Sequence, residues 1–245
     1  MTKAAAARRA DGACVAATAP ALKAPVPMPR YLEQTYWWAY VHPNAVRVFE
    51  RQWLVNLILW GNYARLRDAA LQALPPTGRL LQVACVYGDF TETLARRLGA
   101  QGTLDVADVA PVQIENLKRK INGNPRVAVH HQDSGDLAFA DAGYDGVVLF
   151  FLLHEMPEAV RRRTLSEALR VVKPGGRVVI IDYHRPRWFN PMRLLMLPVL
   201  AWLEPFALDL WRRDIMAWAP PDPRPAKVEQ STFFGGLYQK VVITR

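Results

Sequence analysis

Five polar stations interrupt the apolar middle of this chain: Gln82 to Gly88, Asp108, Asp133, His154 with Glu155, and Asp182 with His184. A carboxylate about 20 residues beyond a turn that follows a strand is placed to accept the ribose hydroxyls of a bound nucleoside. Gln82–Gly88 and Asp108 therefore predict a nucleoside-cofactor site. Asp108 has a second reading, as cap of a helix starting near Pro111; the coincidence of loop, spacing and flanking strand favours the ribose. The loop itself, Gln82-Val83-Ala84-Cys85-Val86-Tyr87-Gly88, is poor in the glycines that let backbone approach a ligand. Either its cofactor binds differently from the usual arrangement or the site has been lost.

The elements that must position these groups alternate between strand and helix. Arg79–Val86, Gly102–Asp108, Val127–His131, Tyr144–Phe151 and Arg177–Asp182 read as strands, and the apolar Tyr144–Phe151 run has the character of one buried on both faces. Lys173-Pro174-Gly175-Gly176 is a tight turn, and Thr232–Ile243 suggests a terminal hairpin. The fold class predicted is α/β, a Rossmann-like parallel sheet with a C-terminal antiparallel hairpin. Ligands of such sheets bind beyond the carboxyl ends of the strands, where all five stations converge.

Two aromatic appendages flank this core. All eight tryptophans lie outside it, at Trp37, Trp38, Trp53, Trp60, Trp188, Trp202, Trp211 and Trp218. One helix is predicted from about Asn44 to Leu74, its stripe Val46, Phe49, Trp53, Leu57 and Trp60 packing on the core. The cluster Tyr36 to His42 reads equally as a lid or pocket wall and as plain packing. The uncharged run from Leu194 to Leu203 falls far short of the roughly 20 residues that span a bilayer. With Arg193, Arg212 and Arg213 beside it, a segment about 188–218 lying in the membrane interface is favoured over a lid helix. Residues 1–30 read as a disordered tail, 31–74 as an aromatic helical lid and 75–245 as the binding domain.

Composition narrows the partners. The chain has 245 residues, is 51% hydrophobic and carries a net charge of +9, which favours an anionic surface. Nothing resembles a nucleic-acid module, and Arg161-Arg162-Arg163 reads as a solvated helix face. Two cysteines make no disulfide framework. No feature specifies an oligomeric state.

The Asp108 position, Asp133-Ser134, Tyr144–Phe151, Lys173-Pro174-Gly175-Gly176 and the hairpin resemble class I S-adenosylmethionine (SAM) methyltransferases. Within them the core resembles the quinone-ring methyltransferases of ubiquinone and menaquinone synthesis. That family's loop usually reads acid-x-Gly-x-Gly-x-Gly, so Gln82, Ala84 and Val86 depart from it. Tyr31–Pro43, Gln82–Asp89 and Phe233–Lys240 further resemble the RquA family of rhodoquinone biosynthesis proteins. This resemblance implies conversion of ubiquinone to rhodoquinone on the cytoplasmic face of the inner membrane. An amino group supplied by SAM replaces a ring methoxy group, with manganese (Mn2+) assisting.

The resemblance implies SAM contacts from Gln82, Ala84, Val86, Tyr87, Gly88, Asp108, Asp133 and Phe151. Carboxylate and imidazole suit manganese, so Asp182, His184 and Glu155 are metal candidates. Asp182 and His184 share a side if their strand continues. Tyr183, His154 and His42 are the candidate catalytic residues around the quinone. Gln82, replacing an acid, leaves the SAM amine free of a carboxylate that would hold it as ammonium; loop drift is the alternative. Two further readings stand beside amino transfer: an ordinary quinone-ring methyltransferase, and a non-catalytic scaffold of this fold in a quinone-synthesis complex.

Overall fold

The computed structural model describes residues 26–37, 43–99, 101–222 and 225–245. His42, most of the Tyr36–His42 cluster and nearly all of the 1–30 tail lie outside these residues. The helices before the sheet are α1 (Arg30–Thr35), α2 (Pro43–Phe49), α3 (Gln52–Ile58) and α4 (Tyr63–Ala73). Then β1 (Arg79–Val83), α5 (Phe90–Arg97), β2 (Thr103–Asp108), α6 (Pro111–Ile121) and β3 (Val127–His131) alternate. The chain continues through β4 (Tyr144–Phe150), α7 (Glu158–Val171), β5 (Val172–Tyr183), α8 (Met192–Leu203), α9 (Asp209–Arg212), β6 (Lys227–Phe233) and β7 (Tyr238–Thr244).

The strands form one sheet in the order β3-β2-β1-β4-β5-β7-β6, parallel as far as β5, with β7 antiparallel between β5 and β6. This is the class I SAM-methyltransferase fold with the predicted hairpin. Helices cover both faces of its centre, which is why β1 and β4 are buried almost throughout. The edge strand β6 is exposed along nearly its whole length and carries Lys227 and Glu229, which deter pairing with another edge. Lys173–Gly176, expected as a tight turn, instead falls within β5 as a bulge: the β4 register advances from Tyr144 to Gly146 while β5 advances from Val172 to Arg177.

The predicted helix 44–74 is three helices. Arg51 is extended between α2 and α3, and Trp60 and Gly61 take φ of 52° and 75° between α3 and α4. The Asn62 amide donates to the carbonyls of Leu59 and Trp60, fixing the second break. The breaks rotate the stripe: Val46 is buried, whereas Trp53 and Leu57 are 61% and 62% exposed. α4, by contrast, buries Tyr63, Leu66, Ala70 and Leu71 in the core of the sheet, so the boundary at 74 does not separate a lid from a domain.

Candidate functional site

Between β1 and β4 the strand order reverses direction, and a cavity of about 690 Å³ opens at that point. Its floor is the loop Ala84–Tyr87 with Asp108. Its far wall is Phe150–Leu152, His154–Met156 and Tyr183, and α1, α3 and α8 enclose the rest.

The loop after β1 keeps a glycine-like course without the glycines. Ala84 has φ of 72°, a left-handed conformation that costs an alanine about 1 kcal/mol. A polar staple holds it there. Gln82 Nε2 donates to the Ala84 carbonyl at 2.9 Å, while Gln82 Oε1 accepts from Thr91 Oγ1 of α5 at 3.0 Å. The predicted cofactor role of Gln82 is therefore corrected. Its side chain is fully buried beneath the loop, outside the cavity lining, with both ends of its amide spent on the protein. Gly88 is likewise a packing glycine, since a Cβ there would meet the Tyr63 hydroxyl at 2.8 Å. Val86 and Tyr87 do line the cavity. Tyr87 stacks on Phe49 and accepts a 2.6 Å hydrogen bond from Gln113 Nε2.

Asp108 joins loop to helix. Oδ2 accepts from Cys85 N–H at 2.6 Å and Oδ1 from Ala110 N–H at 2.7 Å. It faces the cavity, and burial raises its pKa despite these bonds. Asp133 does not reach the cavity. Its Oδ1 turns back to Gly135 N–H at 2.8 Å, and its neighbours Gln132 and Ser134 line the wall instead.

The far wall is an aromatic corner. Phe151, at φ of 53°, lies 5.6 Å from both the Tyr183 and Tyr238 rings, and His154 lies 5.0 Å from Tyr183. His154 Nδ1 is 3.0 Å from Asp182 Oδ1, an ion-pair distance without the alignment of a directed hydrogen bond. Burial alone would lower the imidazole pKa; the Asp182 carboxylate outweighs it and raises the pKa to about 9. At neutral pH His154 is thus a buried imidazolium.

The predicted metal set does not assemble. Asp182 is fully buried, its Oδ2 accepting the N–H groups of Leu153 and His154 and its Oδ1 that of Tyr183. β5 ends at Tyr183, so His184 does not continue the strand; its Nδ1 is 2.9 Å from the Gly236 carbonyl, and it borders a separate cleft. Only Glu155 lines the main cavity, 3.7 Å from His154 Nε2. Among the described residues no three histidine, cysteine or acidic side chains converge to hold a metal ion. The donors thus do not fit manganese.

Glu204, just past α8, lines the cavity unpredicted. Burial raises its pKa, opposed by His154 and by a hydrogen bond from the Tyr36 hydroxyl. Arg161 corrects a second expectation, being fully buried rather than solvated. It donates to the carbonyls of Leu153, Met156 and Phe206 and stacks 4.3 Å over Trp218, tying the turn that carries His154 to the segment behind α8. Arg162, beside it, is exposed as expected and pairs with Glu158.

Residues 80–176 match a family model described as a methyltransferase domain. The chain is 36% identical over 134 residues to a demethylmenaquinone methyltransferase of Clavibacter sepedonicus, covering 54% of this chain and 52% of that one. It is 26% identical over 172 residues to a 2-phytyl-1,4-naphtoquinone methyltransferase of Thermosynechococcus vestitus, covering 65% and 74%. The chain thus spans about half the length of the first of these relatives. Among solved structures, an O-methyltransferase family protein of Burkholderia thailandensis superposes with a TM-score of 0.62 at 18% identity, covering 82% of this chain and 59% of that one. With the strand order already described, the sheet has the class I SAM-methyltransferase fold, and residues 80–176 within it are similar to a methyltransferase domain, as the chain is to the relatives named as quinone methyltransferases.

Proposed function

We propose that this protein is a SAM-dependent transferase acting on a quinone ring. One observation carries the reading: a single cavity runs from the Ala84–Tyr87 loop and Asp108 to the aromatic corner of Phe151, His154 and Tyr183. The first end suits a nucleoside, with Asp108 at the position that accepts ribose hydroxyls. The second suits a flat, electron-poor ring between aromatic side chains, with the His154 imidazolium facing its oxygen substituents. SAM when bound supplies the group transferred. The relatives named as quinone methyltransferases support methyl transfer.

A specific observation favours a second reading, amino transfer from SAM to ubiquinone as in rhodoquinone synthesis. Where the family loop carries an acid, this chain has Gln82, turned inward as a staple, with Val86 and Tyr87 lining the floor. An amine with no carboxylate to hold it as ammonium is nucleophilic. Its nitrogen would bond to the methoxy-bearing ring carbon as the carbon–oxygen bond breaks, methanol leaving with the amine's proton, relayed through His154. The quinone ring would then take the remaining N–H and Cα–H hydrogens with two electrons, and water would split the resulting imine into the aminoquinol and the keto acid of the SAM skeleton. No step is assigned to a metal.

The test is an anaerobic incubation of the purified full chain with ubiquinone and SAM labelled separately at nitrogen and at the methyl carbon, with manganese in the buffer. Nitrogen label in the quinone establishes amino transfer, and methyl label establishes methyl transfer. If SAM binds and neither label moves in any quinone offered, a scaffold role replaces both.

A further inference from the structure

The cavity mouth is bordered by two helices, α3 and α8, that turn large apolar side chains outward as well as inward. α8 buries Met192, Met196 and Leu200 at spacings of four, the inner stripe of an amphipathic helix. Its outward side carries no polar face. Leu194 and Trp202 are 79% and 85% exposed, and Arg193 is the helix's single charge. α3 buries no residue at all and exposes Trp53 and Leu57. Leu57 and Ile58 of α3 and Val199 and Leu203 of α8 line the same cavity. Apolar surface on this scale marks an interaction site.

Charge identifies the occupant. Exposed Arg47 and Arg51 flank α3, and Arg185 and Arg187 precede α8 as Arg212 and Arg213 follow it. Between residues 185 and 213 there are five arginines against two acids, Glu204, which is buried in the cavity, and Asp209. Among the described residues no helix is long and apolar enough to cross a membrane. A short apolar helix edged by arginine and tryptophan is the pattern of a segment lying in a bilayer interface. A second copy of this chain, carrying the same +9, would instead bring like charges together.

We propose that α3 and α8 dock together into an anionic lipid surface, so that the cavity opens between them directly into the acyl layer. A quinone with a long isoprenoid tail would then enter headgroup-first from the bilayer, leaving its tail in lipid. The docking itself does not depend on the proposed chemistry.

Flotation of the full-length protein with vesicles tests it without substrate. The vesicles are phosphatidylcholine alone or with one-third phosphatidylglycerol. The wild type is expected to float with the anionic vesicles and much less with the neutral ones. The triple variant Trp53→Asp, Leu194→Asp, Trp202→Asp changes residues outside the cavity lining. It is expected to lose at least about tenfold in vesicle affinity with an unchanged melting temperature. The single variants serve if the triple fails to fold. Equal flotation of wild type and variants overturns the proposal. So does a wild type that ignores both vesicles but forms a concentration-dependent dimer that the variants abolish.

Discussion

Ala84 and Phe151 sit at the ends of neighbouring strands, one on each side of the cavity, and both hold a left-handed backbone that glycine would adopt without cost. Their N–H groups are held alike, Ala84 donating to the Ala107 carbonyl and Phe151 to the Ile181 carbonyl, each at 2.7 Å, and the side-chain support is what differs. Ala84 is fixed from below by the Gln82 amide. Phe151 is packed by rings, with Phe150, Tyr183 and Tyr238 around it. The loop side is therefore shaped by hydrogen bonds that a ligand need not touch. The aromatic side is shaped by the same surface that a ligand would meet.

The largest expected effect separates the two sides by charge. His154 gains a proton partner on folding, its pKa rising from about 6.5 to about 9, so its stabilisation is complete below pH 6.5 and is lost as pH climbs through 9. Denaturant unfolding between pH 6 and 10 should show a decline of up to about 3 kcal/mol, absent in His154→Gln. A decline that persists in the variant would assign it elsewhere. Phe151→Gly relieves the backbone but removes the ring, and a net loss of about 2–3 kcal/mol is expected in urea; a gain would mean that packing does not hold this turn. Gln82→Leu keeps bulk but strands the Ala84 carbonyl, for a loss of about 2 kcal/mol and faster amide exchange across Cys85–Tyr87. Ala84→Gly should raise stability by at most about 1 kcal/mol. In the Gln82→Leu background the gain should differ, and strict additivity in that cycle would uncouple staple from turn.

The strands were legible because burial on both faces leaves an apolar run in the sequence, as in Tyr144–Phe150, and because Asp108 sits at a fixed distance from the loop. Other features left no such trace. The sequence shows that Gln82 replaces an acid, but not that its amide turns beneath the loop. The stripe from Val46 to Trp60 continues at helical spacing through two breaks, since nothing at Trp60 announces a left-handed residue. Asp182 and His184 alternate as strand neighbours only if the strand outlasts Tyr183, which it does not. Arg161 looks like its charged neighbours because the partners that bury it are backbone carbonyls, one of them 45 residues away. Glu204 reaches the cavity only through the return of α8.

The position of β7 bears on how the molecule is made. It follows every other strand in the chain yet lies inside the sheet, paired to β5 on one side and β6 on the other. Until it inserts, β6 has no neighbour and the apolar run Val178–Ile181 presents an open edge. Synthesis thus leaves a sticky ribbon uncovered until Tyr238–Thr244 has been made, and refolding from dilute rather than concentrated solution should favour the native sheet over aggregates.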